Sequence, residues 1–152
     1  MPTVAIMMGS QSDAEIMKNC EEYLTQFGIS SEVKILSAHR QPEETAHYAR
    51  QAEGRGIRVI IAAAGMAAHL PGVVASLTIL PVIGVPLSGS ELQGVDALYS
   101  IVQMPAGIPV ATVAIGKTGA RNAAVLAAEI IALQDPSVKE KLIAFKKNGA
   151  KF

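Results

Sequence analysis

Short runs of almost wholly apolar residues recur along this chain, each followed by a stretch with helical spacing. That alternation constrains the fold more than any other feature. Residues 3–8 (T-V-A-I-M-M), 32–36, 57–63 (I-R-V-I-I-A-A), 81–85 and 109–115 read as strands. A run that is apolar at nearly every position, rather than at alternate ones, belongs to a strand buried on both faces. Between them lie helical patterns. Residues 14–27 carry apolar side chains at 16, 17, 20, 23, 24 and 27 and stop at Gly28, as an amphipathic helix with a glycine stop would. Pro42 fits the first turn of a helix running to Gly54, because the missing N–H is not needed there. A short helix ends near Thr78, a fourth spans 95–104, and a fifth spans 120–133. Asp135-Pro136 breaks the chain, and Ser137 with Glu140 fits a capping box for a last helix at about 137–147. Five buried strands alternating with helices specify an α/β fold: a five-stranded parallel sheet covered on both faces. With no repeat, linker or low-complexity segment, residues 1–152 read as a single catalytic domain.

Composition narrows the function. The net charge is zero and the pI about 6.8, with no basic stripe of the kind a nucleic-acid binder carries. The lysines at 139, 141, 146, 147 and 151 read as a solvated helix end. Cys20 is the only cysteine, which rules out an internal disulfide and favours a reducing compartment. The apolar run near the N-terminus is too short for a signal peptide and has no cationic segment before it. No apolar stretch reaches the ~18 residues of a spanning helix, so the expected location is the cytoplasm, away from membranes. Half of the residues are hydrophobic and 17% are charged, against an ordinary ~25% charged. Apolar surface is therefore expected to be covered by further subunits. The pattern at 120–133 has almost no polar face, which points to that helix as the interface.

Ligands of such sheets sit beyond the carboxyl ends of the strands. Three loops there are rich in polar and small residues. The first, Met8-Gly9-Ser10-Gln11-Ser12-Asp13, offers hydroxyls and free amides at a helix entrance, which suits an anion; helix capping alone would also explain it. The second, Ser37-Ala38-His39-Arg40, pairs a fixed fork of donors for phosphate with an imidazole for proton transfer. An exposed histidine beside a solvated arginine is the plain alternative. The third, residues 64–72 (A-G-M-A-A-H-L-P-G), has small residues that let backbone amides approach a flat ligand. His69 fits either ligand contact or local backbone bonding, and His47, inside a helical pattern, reads as structural. Other sites fail on their residues. Gly116-Lys117-Thr118 resembles the end of a P-loop, but the glycine required five residues earlier is Ala111. There is no dinucleotide fingerprint, no aromatic platform for a flavin, and no His or Cys spacing suited to a metal. The expectation is an enzyme without a cofactor, acting on a small phosphorylated metabolite.

Several ordered motifs resemble one family over essentially the whole chain: M-G-S-x-S-D at 8–13, S-A-H-R at 37–40, A-A-H-L-P-G at 67–72, Y-S-I-V-Q-M-P at 99–105 and A-I-G-K at 114–117. They resemble the bacterial-type, class I N5-carboxyaminoimidazole ribonucleotide mutases of purine biosynthesis. The resemblance implies a three-layer flavodoxin-like sandwich and a homo-octamer with active sites near subunit contacts. It implies transfer of a carboxylate from the exocyclic nitrogen of a phosphoribosyl imidazole to carbon four, without ATP, biotin or metal. By position, His39 would be the catalytic acid–base, and Ser10, Asp13 and Arg40 would bind substrate. Ser12, Ser37, Gly65, His69 and Leu70 would complete the binding set. The third loop departs from the family at Ala63 and Met66, where glycine is more usual. Two alternatives remain at this level: an animal-type carboxylase that uses carbon dioxide directly, and a non-catalytic sensor of a phosphorylated metabolite. Animal-type relatives differ here, with lysine in place of Arg40 and no His-Leu-Pro.

Overall fold

A computed structural model describes every residue, Met1–Phe152. The chain runs β1 (Val4–Met8), α1 (Ala14–Gln26), β2 (Ser31–Ile35), α2 (Pro42–Gln51), β3 (Val59–Gly65), α3 (Leu70–Ala75), β4 (Val82–Leu87), α4 (Val95–Val102), β5 (Ala111–Thr112), α5 (Lys117–Ala132) and α6 (Pro136–Lys147). All five strands are parallel, in the order β2-β1-β3-β4-β5. The order reverses at β1, so the loops after β1 and β3 diverge and leave a crevice at that switch point. Register makes the crevice level. Met8 stands opposite both Ile35 and Ala63, so β1, β2 and β3 release their loops along one edge.

The uniformly apolar strands are explained by two cores, one on each face. Val4, Ile6 and Met8 of β1 and Val59, Ile61 and Ala63 of β3 face one way, into a core shared with α1, α5 and α6. Ala5, Met7, Ile60 and Ala62 face the other way, onto α2, α3 and α4. Every one of these strand residues is fully buried. Strand side chains alternate faces, so a strand covered on both sides needs apolar residues throughout. No helix is long and apolar enough to cross a membrane.

Three local expectations need correction. The fifth strand is two residues long, not the seven spanned by 109–115. Pro109, before the strand, and Pro86 of β4, level with Ala114 beyond it, lack the N–H that a ladder needs. Two stray bonds, Val113 N–H to Gly84 O and Gly116 N–H to Pro86 O, carry the chain on instead. The last helix is not capped by a Ser137–Glu140 box. Asp135 is the N-cap, its carboxylate accepting from the Ser137 and Val138 amides, with Pro136 in the first turn. The dipeptide taken for a break is a helix start. Finally, α5 is largely covered by its own chain. Ala120, Ala123, Ala124, Ala127 and Ala128 are fully buried in the core shared with α1 and α6, so its weak polar face gives no sign of another subunit.

Candidate active site

The loop after β1 turns at once into a single 3₁₀ turn, Gln11–Asp13. Ser10 caps that turn: its Oγ accepts from the Ser12 amide at 3.3 Å and lies 2.9 Å from the Ser12 hydroxyl. Capping therefore explains part of this loop but not Asp13. Asp13 precedes α1, yet its side chain makes no capping bond. Burial pushes its carboxyl above the ordinary aspartate value, partly offset by the Ser10 backbone. A half-buried carboxylate that caps no helix and pairs with no cation is a group available to a ligand.

The loop after β2 is closed by its own side chains. Ser37 Oγ accepts from the Arg40 amide at 3.2 Å, and the Gln41 amide donates to Ser37 O at 2.8 Å. The turn leaves His39 and Arg40 exposed. The two ion pairs of the chain are Arg55–Glu32 and Lys146–Glu129, so the Arg40 guanidinium keeps all its side-chain donors for something else.

The loop after β3 brings a second imidazole to the first. His39 Nε2 lies 2.6 Å from His69 Nδ1, with the rings edge to face and their centroids 4.7 Å apart. One nitrogen must donate and the other accept, so the pair fixes complementary tautomers. Backbone bonds hold His69 in place: its amide donates to Ala67 O, and its carbonyl accepts from Val73 at the start of α3. Gly65 allows this loop to lie against the one after β4. A Cβ at Gly65 would sit 3.3 Å from Leu87 O.

These loops enclose a cavity of about 320 Å³. Every residue singled out for the site lines it: Ser10, Ser12 and Asp13 from the first loop, Ser37, His39 and Arg40 from the second, and Gly65, His69 and Leu70 from the third. His47 does not. It lies on the exposed face of α2 and lines a separate shallow groove, so it is neither a core residue nor part of this cavity. Sequence reasoning missed Gly89, which brings the loop after β4 to the rim. Glycine offers no side-chain chemistry to notice; the only available signal was the small, polar Ser88-Gly89-Ser90 immediately after a buried strand.

A free guanidinium, paired hydroxyls at a helix entrance, an unengaged carboxylate and an exposed imidazole pair converge at the switch point of a doubly wound sheet. That combination defines a metabolite enzyme of the doubly wound α/β class, with acid–base rather than nucleophilic chemistry on offer. The chain belongs to the AIR carboxylase family, whose pattern it matches over residues 3–151. It is 56% identical over 147 residues to an N5-carboxyaminoimidazole ribonucleotide mutase of Pyrococcus horikoshii, covering 97% of this chain and 82% of the relative. It is 56% identical over 146 residues to the enzyme of the same name from Thermotoga maritima, covering 96% and 84%. The crystal structure of Treponema denticola PurE superposes with a TM-score of 0.89 at 30% identity, covering 99% of this chain and 92% of that one.

Proposed function

We propose that this protein is an isomerase of de novo purine biosynthesis that converts N5-carboxyaminoimidazole ribonucleotide to 4-carboxy-5-aminoimidazole ribonucleotide, with His39 as general acid and base. The observation that carries this reading is kinship of more than half the residues, over nearly the whole chain, with enzymes named for that reaction. The cavity supplies a chemistry to match. Protonated His39 gives its proton to the exocyclic nitrogen as the N–CO₂⁻ bond breaks, leaving the amine and CO₂. Carbon four, made nucleophilic by that amine, attacks CO₂ and forms the new C–C bond. Neutral His39 then removes the proton from carbon four, which restores the aromatic ring and returns the histidine to its starting state. Atoms and protons balance with no cofactor.

The binding roles follow from the side chains. Arg40, Ser10 and Ser12 hold the phosphate, the first as a charged fork and the others as hydroxyl donors. Asp13 accepts from ribose hydroxyls. Ser37 keeps the second loop closed behind Arg40. Gly65 and Leu70 shape the wall against the ring, and His69 orients the His39 imidazole. The working form is a homo-octamer in the cytoplasm. What supports association is an exposed apolar row on α4 and the loop before it: Leu92, Val95, Tyr99 and Val102.

The deciding experiment supplies the carboxyamino ribonucleotide without ATP or bicarbonate and follows the ultraviolet change of product formation. Conversion is the expected result. Turnover only of the uncarboxylated ribonucleotide with bicarbonate would make this a direct carboxylase. Binding without turnover of either would make it a sensor.

A further inference from the structure

Three residues other than glycine have left-handed backbone: Met66, Gln93 and Ala150. Of these only Met66, at φ 55°, lines the cavity. Glycine adopts that conformation freely, whereas other L-residues adopt it against a steric cost. Backbone strain kept at the rim of a site calls for a functional reason.

The side chain supplies one. Met66 is 61% exposed while forming part of the cavity wall, so it stands at the rim. Its neighbours Gly65, Ala67 and Ala68 have nothing long enough to reach across. Leu70, the other large apolar residue of the wall, is buried. Met66 is therefore the one long apolar side chain free to move over a ligand, and a thioether chain is flexible and polarisable.

The proposed reaction needs such a cover. Between the two halves the carboxyl carbon exists as CO₂, small, uncharged and bound to nothing. If it escapes, the exocyclic nitrogen keeps the proton taken from His39, the amine departs as the uncarboxylated ribonucleotide, and His39 recovers its proton from solvent. The CO₂ hydrates to bicarbonate. Resting on the mutase reading, we propose that Met66 is a specificity-determining residue: its side chain closes over the bound ring and retains CO₂ until carbon four captures it.

Isotope wash-in tests this. The carboxyamino ribonucleotide is converted in buffer containing ¹³C-bicarbonate and its dissolved CO₂, and label is measured in the carboxylate on carbon four. Once the spontaneous exchange of the free carbamate, measured without enzyme, is subtracted, label there means that the original CO₂ has left the site and another molecule has replaced it. The parent should incorporate little. Met66→Ala, which removes the side chain and keeps a Cβ, should incorporate at least threefold more per turnover. Met66→Leu, which keeps an apolar cover, should stay within twofold of the parent. Met66→Gly removes cover and strain together, so it should leak as the alanine variant does and melt above the parent. Equal label in parent and Met66→Ala would overturn the proposal, as would a Met66→Leu that leaks as much as alanine. A Met66→Gly that melts at or below the parent would overturn the claim that strain is held there for function. A parent that converts no substrate would instead sink the mutase reading, and this proposal with it.

Discussion

His39 and Asp13 stand at opposite ends of what a site residue can lose. The His39 ring is exposed, and its one side-chain bond is to His69, at 2.6 Å. Little structure depends on it. His39→Asn, similar in size and still able to hydrogen-bond, should fold and bind product while turnover falls by ~10²–10⁴ or more, the usual cost of a positioned acid–base. Turnover within a few-fold of the parent, with product affinity intact, would rule out His39 as the proton carrier. His69→Asn should cost less, because asparagine can still pair with His39 and orient it. Asp13 is the reverse case, a residue that the fold would be better without. Burial raises its carboxyl above the ordinary value. The folded state therefore binds the proton more tightly than the unfolded state, and stability falls as pH rises from the unfolded value through the raised one. Asp13→Asn removes that loss. The variant should melt above the parent at pH 7 and alike at pH 3, where the aspartate is protonated in both states. Substrate should meanwhile bind more weakly, by ~10-fold or more for a lost charge-assisted bond. A melting difference of equal size at both pH values would show that burial of charge is not its source. The side chains of this site were legible because guanidinium, imidazole and hydroxyl advertise their chemistry by type. Gly89 and the left-handed backbone of Met66 were not, since one acts through having no side chain and the other through a torsion that no single residue type encodes.

At the scale of elements, apolar runs and stops were enough to place β1, β3, β4, α1 and α4 close to where they lie. The errors fall where a proline or a close backbone contact decides. Pro109 and Pro86 shorten β5, and Pro136 shifts the last cap back to Asp135. Ser137 Oγ also donates to that carboxylate, at 2.7 Å. This bond first, then the Val138 amide, holds Asp135 below the usual aspartate range. The start of α5 is a backbone case. Gly116, at φ 77°, bends the chain into the helix at Lys117, and Gly119 presses against the segment after β5. A Cβ built on Gly119 would lie 1.6 Å from Ala114 O. Neither side can yield by rotating a side chain. Gly119→Ala should therefore destabilise, although alanine is the better helix former by ~1 kcal/mol. Overpacking of this kind costs ~1–3 kcal/mol or more, and a chain of this size loses ~2–4 °C of Tm per kcal/mol. Equilibrium unfolding in urea would measure it. A gain in stability would mean that propensity outweighs the contact and that α5 can slide away from Ala114. The glycine of the rejected phosphate-loop motif, Gly116, is thus accounted for by the left-handed turn into α5.

For the whole molecule the question is which apolar surface remains uncovered. A low charge content pointed to subunit contacts, but the weak polar face of α5 is no sign of them, because α1 and α6 cover its alanines. Other exposed apolar residues, such as Ile79, Leu133 and Ile143, are scattered, and the row of them is on α4 and the loop leading to it. Leu92 and Tyr99 are each 64% exposed, Val95 43% and Val102 46%. Val95, Tyr99 and Val102, spaced four and three residues apart, share one face of α4, and Leu92 stands in the loop just before it. Isolated exposed apolar residues need no explanation, but a row on one face marks a contact surface. Exposed side chains contribute little to the fold of a single subunit, so the double variant Tyr99→Glu, Val102→Glu should keep its helical content. It should lose its assembly, since truncating a buried aromatic anchor costs ~2 kcal/mol or more at an interface and an unpaired buried carboxylate adds to that. Activity should fall with it. The loop that lines the cavity at Gly89 carries Leu92 and ends at Gly94, where α4 begins, so an unsupported α4 leaves one wall of the site unanchored. Light scattering at micromolar concentration should find the parent as a large oligomer and the double variant much smaller, with turnover reduced in step. A variant of parental size would move the interface elsewhere on the surface. A parent that is itself a stable monomer would remove the assembly altogether and leave the α4 row unexplained.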